Sequence, residues 1–302
     1  MRIVIAYNPV SGRGTSAAAA EEISAAITSA GHDVITVPST PEPAEHWLGD
    51  EIKTASLLIV CGGDGTLCTV AAVASHHGVA LWQAPLGTEN LFAQTWGMSR
   101  DPAAITAAIE AWKIRMIDRG HVDLGSVGTK DFLLMLSAGF DAHVVLDLAS
   151  RRRRRITHWS YLRPILMQFL LYQPEIVTIT VDGRTIVQDQ PGGVIIANCH
   201  RYAGHLDPCP GALMDDGHLD VIWYPTPTRW SILAWIWRFR RRSVAAHANA
   251  VTATGRRIMV HSDPPSIWQI DGDPACRRGQ GISDVQVTLE TGSVRVLLPA
   301  ET

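Results

Sequence analysis

The residues best suited to chemistry in this chain of 302 residues form a glycine-rich segment, Cys61–Leu67 (CGGDGTL), that directly follows an apolar run. Glycine lets the backbone approach a ligand closely, and free N–H groups at the start of a helix attract anions such as phosphate. The segment matches neither G-x-x-x-x-G-K-[ST] nor G-x-G-x-x-G. Because Asp64 would repel a bare phosphate, the pattern favours a nucleotide that carries a divalent cation. A simple strand-to-helix turn with Asp64 as the N-cap is the alternative.

Two further loops combine glycine with small hydrogen-bonding side chains. Asn8–Gly14 (NPVSGRG) follows the first apolar run, and Pro85–Asn90 (PLGTEN) follows the run that ends at Ala84. Ligands of open α/β sheets bind at the carboxyl ends of the strands. Three such loops at successive strand ends are therefore predicted to line one crevice.

The elements that position these loops alternate between strand and helix over the first 120 residues. The strand candidates are Arg2–Tyr7, Val34–Val37, Leu57–Cys61 and Ala80–Ala84, and the helix candidates are Ser16–Ala30, Leu67–His77 and Pro102–Trp112. This alternation predicts a parallel sheet with helices on both faces.

After about residue 120 the pattern is typical of antiparallel β-structure. Glu175–Val187 has a β-run on each side of Asp182-Gly183, which is a strong hairpin signal, and Val285–Leu298 contains a second hairpin candidate at Thr291-Gly292. Further strand candidates are Val194–Asn198, Leu219–Tyr224, Arg257–His261 and Ile267–Ile270. The predicted fold class is α/β: an N-terminal three-layer domain with a parallel sheet, residues 1–122, and a C-terminal antiparallel β-sandwich, residues 123–302. For the last strand two placements are open, within this sandwich or packed back on the first domain.

The composition excludes several classes of protein. With 46% apolar and 18% charged residues, the chain can bury a sizeable core. The 26 Lys and Arg against 29 Asp and Glu give a net charge of -3, so the bulk charge offers no case for nucleic-acid binding. Five cysteines without C-x-x-C spacing argue against a disulfide framework or a zinc site. With neither a signal peptide nor an apolar run of spanning length, a cytoplasmic location is expected.

Taken together, NPVSGRG, GGDGTL and PLGTEN resemble the motifs of the diacylglycerol kinase catalytic-domain family, which includes bacterial lipid kinases and the sphingosine kinases. The resemblance continues through Gly139–Ala142 (GFDA), Ala197–Asp220 and Ile270–Asp273 (IDGD). These stretches are similar to the family's G-x-D-A, D-D-G-x-L-D and D-G-E motifs, so nearly the whole chain is covered. GGDGT alone is shared with NAD kinases, and the later motifs favour a lipid kinase.

The resemblance implies a fold like that of the NAD and diacylglycerol kinases, and transfer of the γ-phosphate of ATP to a lipid hydroxyl. Diacylglycerol is the first candidate acceptor, giving phosphatidic acid; an NAD kinase-like enzyme and a non-catalytic nucleotide-sensing membrane-surface protein are the alternatives. The nucleotide-binding residues implied in this sequence are Asn8, Thr40, Cys61, Gly62, Gly63, Asp64, Gly65, Thr66, Leu67, Thr88 and Asn90. Mg²⁺ is implied at Asp216, with backbone carbonyls near Leu213 and His218.

The resemblance also implies a catalytic base. The family's base is the Glu of D-G-E, which corresponds to Asp273 here. Aspartate is one methylene shorter, so its carboxylate must approach more closely or act through water. Asp271 remains the alternative, since residues two apart share a face if the segment is extended.

Two segments, Arg151–Tyr172 and Trp230–Arg242, combine arginines with apolar and aromatic residues. Arginine clusters attract anionic lipid, and Trp, Tyr and Leu enter the headgroup region. The pattern predicts a cytoplasmic protein that docks reversibly on an anionic membrane surface. A core helix with a solvated basic end is the other interpretation. The sequence gives no indication of the oligomeric state.

Overall fold

The computed structural model describes residues 1–9, 14–150, 162–243, 249–277 and 279–300. The chain divides into two compact units, Met1–Ile117 with Gly292–Thr302 and Asp118–Thr291. Val10–Arg13 of the first predicted loop and Arg151–Tyr161 of the predicted membrane segment lie outside the described residues.

The first unit contains the predicted parallel sheet. Its elements are β1 (Arg2–Tyr7), α1 (Ser16–Ser29), β2 (Asp33–Pro38), α2 (Ala44–Leu48), α3 (Glu51–Thr54), β3 (Leu57–Gly62), α4 (Asp64–His76), β4 (Ala80–Pro85), α5 (Leu91–Trp96) and α6 (Pro102–Ala111). The strand order is β4-β3-β1-β2, and every pair is parallel. All six residues of β3 are buried, as expected for a strand covered on both faces. The three-layer prediction is confirmed.

The second unit is built mainly from antiparallel strands. Its elements are β5 (Ile114–Asp123), which begins in the first unit, β6 (Thr129–Phe132), β7 (Met135–Ala138), α7 (Phe140–Ser150), α8 (Leu162–Leu171), β8 (Ile176–Val181), β9 (Arg184–Ala197), β10 (Leu219–Pro225), α9 (Arg229–Arg240), β11 (Val251–Gly255), β12 (Arg257–Ser266), β13 (Trp268–Ile270), β14 (Asp273–Pro274) and β15 (Ile282–Leu297). The first half of β9 pairs with β8, and its second half pairs with β7 and β10. One long strand therefore serves both layers of the antiparallel unit.

The hairpin predicted at Asp182-Gly183 is confirmed. Both residues have positive φ, 47° and 83°, as a two-residue type I′ turn requires. The segment that follows differs from the prediction, because β9 runs unbroken through Gly192 and Gly193. A Cβ at Gly192 would lie 2.3 Å from Trp223 Nε1, so these glycines make room for the aromatic residues of β10. They do not end the strand.

The second hairpin prediction, at Thr291-Gly292, is wrong. β15 is continuous over 16 residues. Its first part pairs antiparallel with β12, and Arg295 and Val296 pair in parallel with Ala80 and Leu81 of β4. Gly292 has a φ of 56°, which alters the backbone locally without reversing the chain. The last strand therefore contributes to the sheet of the first unit.

Among the described residues, no helix combines the length and the apolar character needed to cross a bilayer.

Candidate functional site

The described parts of the three glycine-rich loops of the first unit meet at the carboxyl ends of β1, β3 and β4. Asn8 Nδ2 donates a hydrogen bond to Thr66 Oγ1 over 3.3 Å, which joins the first loop to the second. The N–H of Leu86 donates to the carbonyl of Gly62 over 3.0 Å, which joins the second to the third. The described parts of the loops thus come together, as the sequence predicts.

Two glycines allow the second and third loops to touch. A Cβ on Gly87 would lie only 2.6 Å from Gly63 Cα and 2.7 Å from Asn90 Oδ1. Asn90 adopts left-handed backbone angles and closes the third loop, because its amide group accepts from Gly87 N–H over 2.8 Å and donates to Gly87 C=O over 3.1 Å. A side chain at position 87 would push these backbones apart.

The helix after the second loop begins earlier than predicted, at Asp64, with Gly63 as its N-cap. The N–H groups of Thr66 and Leu67 donate to the carbonyl of Gly63. Those of Asp64 and Gly65 precede them and have no acceptor within the helix by α-helical geometry. The N-terminal end of α4 therefore offers backbone N–H donors of the kind that bind anions, beside the described parts of the first and third loops.

Asp64 is oriented differently from the sequence-based expectation. Its carboxylate accepts the N–H of Leu91 over 2.9 Å and that of Phe92 over 3.1 Å, and so serves the start of α5. Burial raises the pKa of Asp64, while these backbone hydrogen bonds act to lower it. The carboxylate is bound by protein donors. The argument that a cation must shield this side chain from a phosphate is therefore not needed, and Asp64 is not the N-cap of its own helix.

The other residues predicted to bind nucleotide differ in exposure. The side chains of Cys61 and Leu67 are buried in the core, and burial raises the pKa of Cys61 to about 12. Thr88 is exposed within the third loop. Thr40 is also exposed, lies beyond the end of β2, and accepts a hydrogen bond from the N–H of Glu42 over 3.3 Å.

The two candidate bases lie on a tight hairpin turn of the second unit. Ile270 pairs with Asp273, and the two residues between them, Asp271 and Gly272, have positive φ of 48° and 86°. This is the requirement of a type I′ turn. The chain reverses between Asp271 and Asp273, so the condition under which they would share one face, an extended segment, is not met.

The carboxylate of Asp271 is engaged by backbone donors. Its oxygens accept N–H groups from Leu133 over 2.8 Å, Leu134 over 2.9 Å and Met135 over 2.8 Å. The N–H of Asp271 in turn donates to the carbonyl of Met135 over 2.9 Å. Asp273, the first residue after the turn, is exposed. Asp271 therefore fixes the turn, and Asp273 is presented at the surface of its unit.

The loop predicted to hold Mg²⁺ offers oxygen ligands. Asp216 is exposed and accepts the N–H of His218 over 2.9 Å with one carboxylate oxygen, and Leu213 is also exposed. Asp118 is buried and holds the loop, since its carboxylate accepts the N–H of Gly217 over 2.7 Å. Burial, with the charge of Asp216, raises the pKa of Asp220 to about 6. Crowded carboxylates beside backbone carbonyls fit a hard cation with a water shell.

That fit depends on backbone carbonyls and water as much as on side chains. In the part of the chain that the structure describes, no group of three or more His, Cys, Asp or Glu side chains is arranged to bind a metal. Asp216, with carbonyls of Leu213 and His218, would therefore form a site of few protein side chains, as is usual for Mg²⁺.

Residues from elsewhere in the chain support the motifs, and the sequence does not point to them. Gln83 donates to Asp64 over 3.4 Å and accepts the N–H of Ala93 over 2.8 Å, although it lies in a buried strand. Asp118 supports the predicted metal loop. Gln83 is the lone polar residue of an apolar strand, which is a signal, whereas Asp118 lies in the mixed polar and apolar sequence of β5 and does not stand out.

Two models of known protein families match this chain, one in each half. Residues 2–122 match the family model described as the diacylglycerol kinase catalytic domain, and residues 135–297 match the YegS C-terminal NAD kinase beta sandwich-like domain. The chain belongs to the diacylglycerol kinase and YegS-like family of lipid kinases. The family predicted from the motifs is confirmed, and so is the fold class.

Relatives of this lipid kinase family span most of the chain. A protein named diacylglycerol kinase from Mycobacterium tuberculosis is 28% identical over 295 residues, which cover 96% of this chain and 94% of the relative. A protein named "Probable lipid kinase YegS-like" from Pseudomonas aeruginosa is 34% identical over 177 residues, covering 56% and 55% of the two chains. A crystal structure of a diacylglycerol kinase from Bacillus anthracis has the same fold, with a TM-score of 0.70 at 16% identity and coverage of 98% and 96%.

Proposed function

We propose that this lipid kinase family member uses ATP and Mg²⁺ to phosphorylate the hydroxyl of a membrane lipid, with diacylglycerol as the first candidate. The observation that carries the proposal is the junction of three glycine loops at the start of α4, where Gly63 and Gly87 lie in backbone contact. Such a junction accommodates the closely spaced negative oxygens of a triphosphate, since backbone N–H groups can approach them without interference from side chains.

Each part of the phosphate site has a defined task in this proposal. The N–H groups of Asp64 and Gly65 face outward at the positive end of α4. Thr66 is held by Asn8, so its hydroxyl has a fixed position beside the same end. Asp64 supports the arrangement by tying α5 to the loop. Thr88 and Asn90 complete the third loop, and Thr40 would contribute from the end of β2.

The reaction itself needs a group that takes the hydroxyl proton. In the proposal the carboxylate of Asp273 accepts that proton as the lipid oxygen forms its bond to the γ-phosphorus. The bond from that phosphorus to the β,γ-bridging oxygen breaks, and ADP leaves with the electron pair. Mg²⁺ held near Asp216 would supply neutralisation of negative charge during transfer. Asp271 is unsuited to the role, because three backbone donors occupy its carboxylate.

The test is a transfer assay with γ-labelled ATP, Mg²⁺ and a panel of lipids in mixed micelles. The panel contains diacylglycerol, monoacylglycerol, a sphingoid base and a glycolipid, with NAD as a non-lipid acceptor. Label in one lipid class supports the proposal and identifies the acceptor. Label in NADP supports an NAD kinase, and ATP binding without transfer to any acceptor supports a non-catalytic sensor. Either of the last two results contradicts the proposal.

A membrane-facing surface would give such an enzyme access to its lipid. We define the helical surface as the exposed side chains of α8 and α9. It includes Leu162, Leu166, Leu170, Leu171, Trp230, Leu233 and Trp237. Trp230 and Trp237 remain 64% and 53% exposed, while Ile232 and Trp235 on the opposite side of α9 are buried. A helix that is apolar on both sides, with one side exposed to solvent, is typical of a surface that binds a membrane or another protein.

The charges around the helical surface suit an anionic bilayer. The guanidinium of Arg229 lies 5.9 Å from the ring centre of Trp230, and that of Arg241 lies 4.4 Å from that of Trp237. Phe169 of α8 contacts Trp230 edge to face at 5.4 Å, so the two helices present one surface. Paired arginine and tryptophan side chains bind phosphate headgroups and the apolar layer beneath them.

Sedimentation with vesicles tests this surface. Binding is expected to vesicles of phosphatidylglycerol with phosphatidylcholine, and to fall at high salt or with phosphatidylcholine alone. Leu233→Ser should weaken binding by about threefold or more, because the variant loses the apolar area that Leu233 would insert into the lipid. Met259→Ser is the matched control, since Met259 is 54% exposed on a strand and Leu233 is 49% exposed. Equal losses in both variants would contradict docking through α8 and α9.

A further inference from the structure

A line of polar contacts runs from the acidic turn into the interior of the second unit. The N–H of Gly272, the residue before Asp273, donates to Gln269 Oε1 over 2.8 Å. Gln269 Nε2 donates to Ser137 Oγ over 2.7 Å. Ser137 Oγ and the hydroxyl of Tyr202 then both donate to Oδ2 of Asp141. We call Gln269, Ser137 and Asp141 the polar chain.

The direction of every hydrogen bond in the polar chain is determined by its first member. A backbone N–H can only donate, so the oxygen of the Gln269 amide must face Gly272. The NH₂ group then faces Ser137, whose oxygen must accept. The single proton of the Ser137 hydroxyl is left to donate to Asp141. Reversing the Gln269 amide would place its NH₂ group against the N–H of Gly272, so two donors would face each other.

The polar chain lies where water does not substitute for it. Ser137 and Gln269 are buried, and they face each other across the β7–β13 ladder. Burial raises the pKa of Asp141, while the hydrogen bonds from Ser137 and Tyr202 act to lower it. Phe140, Ile195 and Trp235 line a cavity of about 50 Å³ beside Asp141, so its surroundings are largely apolar. Removal of one member therefore leaves a neighbour without its partner.

We propose that Asp141, Ser137 and Gln269 are positioning residues that hold the Asp271-Gly272 turn and thereby aim the carboxylate of Asp273. This inference depends on the proposed phosphoryl transfer for its catalytic consequence. On one side of the turn, the carboxylate of Asp271 accepts the N–H groups of Leu133, Leu134 and Met135. On the other side, the N–H of Gly272 donates to the polar chain. Both central residues of the turn have positive φ, which is uncommon for the non-glycine Asp271, and the hydrogen bonds on the two sides favour this one conformation.

The test compares two buried serines of the same unit. Ser137→Ala breaks the polar chain, and Ser262→Ala is the matched control, because Ser262 is also buried and donates to a carbonyl oxygen, that of Ile282, over 3.0 Å. Ser137→Ala should lower kcat about tenfold with KM for ATP and lipid unchanged. It should also accelerate hydrogen exchange about tenfold in the peptide that contains Gly272 and Asp273. Ser262→Ala should do neither.

A third variant separates positioning from simple structural damage. Asp141→Asn keeps an acceptor oxygen for Ser137 and Tyr202 and should keep kcat within about threefold of the wild type, whereas Asp141→Ala should behave like Ser137→Ala.

The inference is overturned if Ser137→Ala matches Ser262→Ala in both measurements, or if its exchange accelerates equally in all peptides. If the wild type phosphorylates no lipid, the proposed function fails. The exchange comparison still decides whether the polar chain holds the turn.

Discussion

The glycine loops of the first unit and the acidic turn of the second unit use aspartate in the same way. In each, the carboxylate of an aspartate beside a glycine accepts hydrogen bonds from backbone N–H groups of a distant segment. Asp64 binds the start of α5, and Asp271 binds the stretch that leads into β7. Neither carboxylate faces outward for chemistry. The aspartates that identify these two motifs therefore hold loops together.

The two regions differ in what they leave for a ligand. Beside Asp64, the first turn of α4 offers N–H donors, which suit phosphate oxygens. Beside Asp271, the next acidic residue offers a carboxylate, which suits a hydroxyl proton. An aspartate that accepts backbone N–H groups does not by itself indicate a functional site. Asp182 accepts the N–H groups of Arg256 and Arg257 in the same way, at a hairpin to which no function is assigned. Function follows from the neighbouring groups.

The largest expected effect separates the two aspartates of the acidic turn. Asp273→Asn should lower kcat by about 10³-fold with little change in KM, because the amide cannot accept the hydroxyl proton. Asp273→Glu should retain much of the activity, since it restores the acid of the related D-G-E motif. Labelled phosphate transfer to the preferred lipid measures both variants. Full turnover by Asp273→Asn would exclude it as the base and remove the contrast between the two positions.

The second effect concerns stability, and here substitution of Asp271 is expected to have the larger effect and substitution of Asp273 the smaller. Asp271→Ala leaves three backbone N–H groups without their acceptor, which should cost about 4 kcal/mol and lower Tm by roughly 10 °C. Asp273→Ala, at an exposed position, should change Tm by less than about 2 °C. Thermal unfolding followed by circular dichroism measures both. Equal shifts would show that Asp271 is not the residue that holds the turn.

Local patterns predicted the loops well, because their signals lie within a few residues. The glycines of Gly62–Gly65 and the Asp182-Gly183 turn required no knowledge of the rest of the chain. The Asp271-Gly272 pair carries the same hairpin signal, although Asp271 and Asp273 are compared from the sequence only for the case of an extended segment. At Thr291-Gly292 a similar dipeptide gives no hairpin. The part of β15 before it pairs with β12 and the part after it pairs with β4, so the strand continues through the dipeptide.

The partners of the aspartates could not be predicted from the sequence. Asp64 binds a residue 27 positions away, and Asp271 binds residues 136 to 138 positions away. Whether a carboxylate faces a ligand or a backbone depends on which strand ends become neighbours, and a local motif does not determine that. The same reason explains why Gln269 and Ser137 passed unnoticed, because each is an isolated polar residue in a buried strand.

A third effect tests the contact between the glycine loops. Gly87→Ala places a Cβ 2.6 Å from Gly63 Cα, so the two backbones must separate. Overpacking of this kind costs about 1–3 kcal/mol, and ATP should bind about tenfold more weakly. Gly78→Ala is the control: its φ of 66° is strained for alanine, but a Cβ there meets no atom within 4 Å. It should lose stability and keep ATP affinity, as measured by calorimetry; equal weakening in both variants would refute the loop contact.

The smallest effect is the pH dependence of Asp64. Because burial raises its pKa above the ordinary 3.8, the folded protein holds this proton more tightly than the unfolded chain. The resulting stabilisation is complete below pH 3.8 and is lost as the pH rises through the raised value. Asp64→Asn cannot ionise, but it keeps an acceptor oxygen for only one of the two N–H groups, because those of Leu91 and Phe92 bind different oxygens of the carboxylate. This loss lowers stability at every pH, so only the pH dependence is compared. The free energy of unfolding of Asp64→Asn relative to the wild type should improve between about pH 3 and pH 7. Denaturant unfolding across that range measures the difference; a change of the opposite sign would mean that the N–H donors stabilise the carboxylate by more than burial destabilises it.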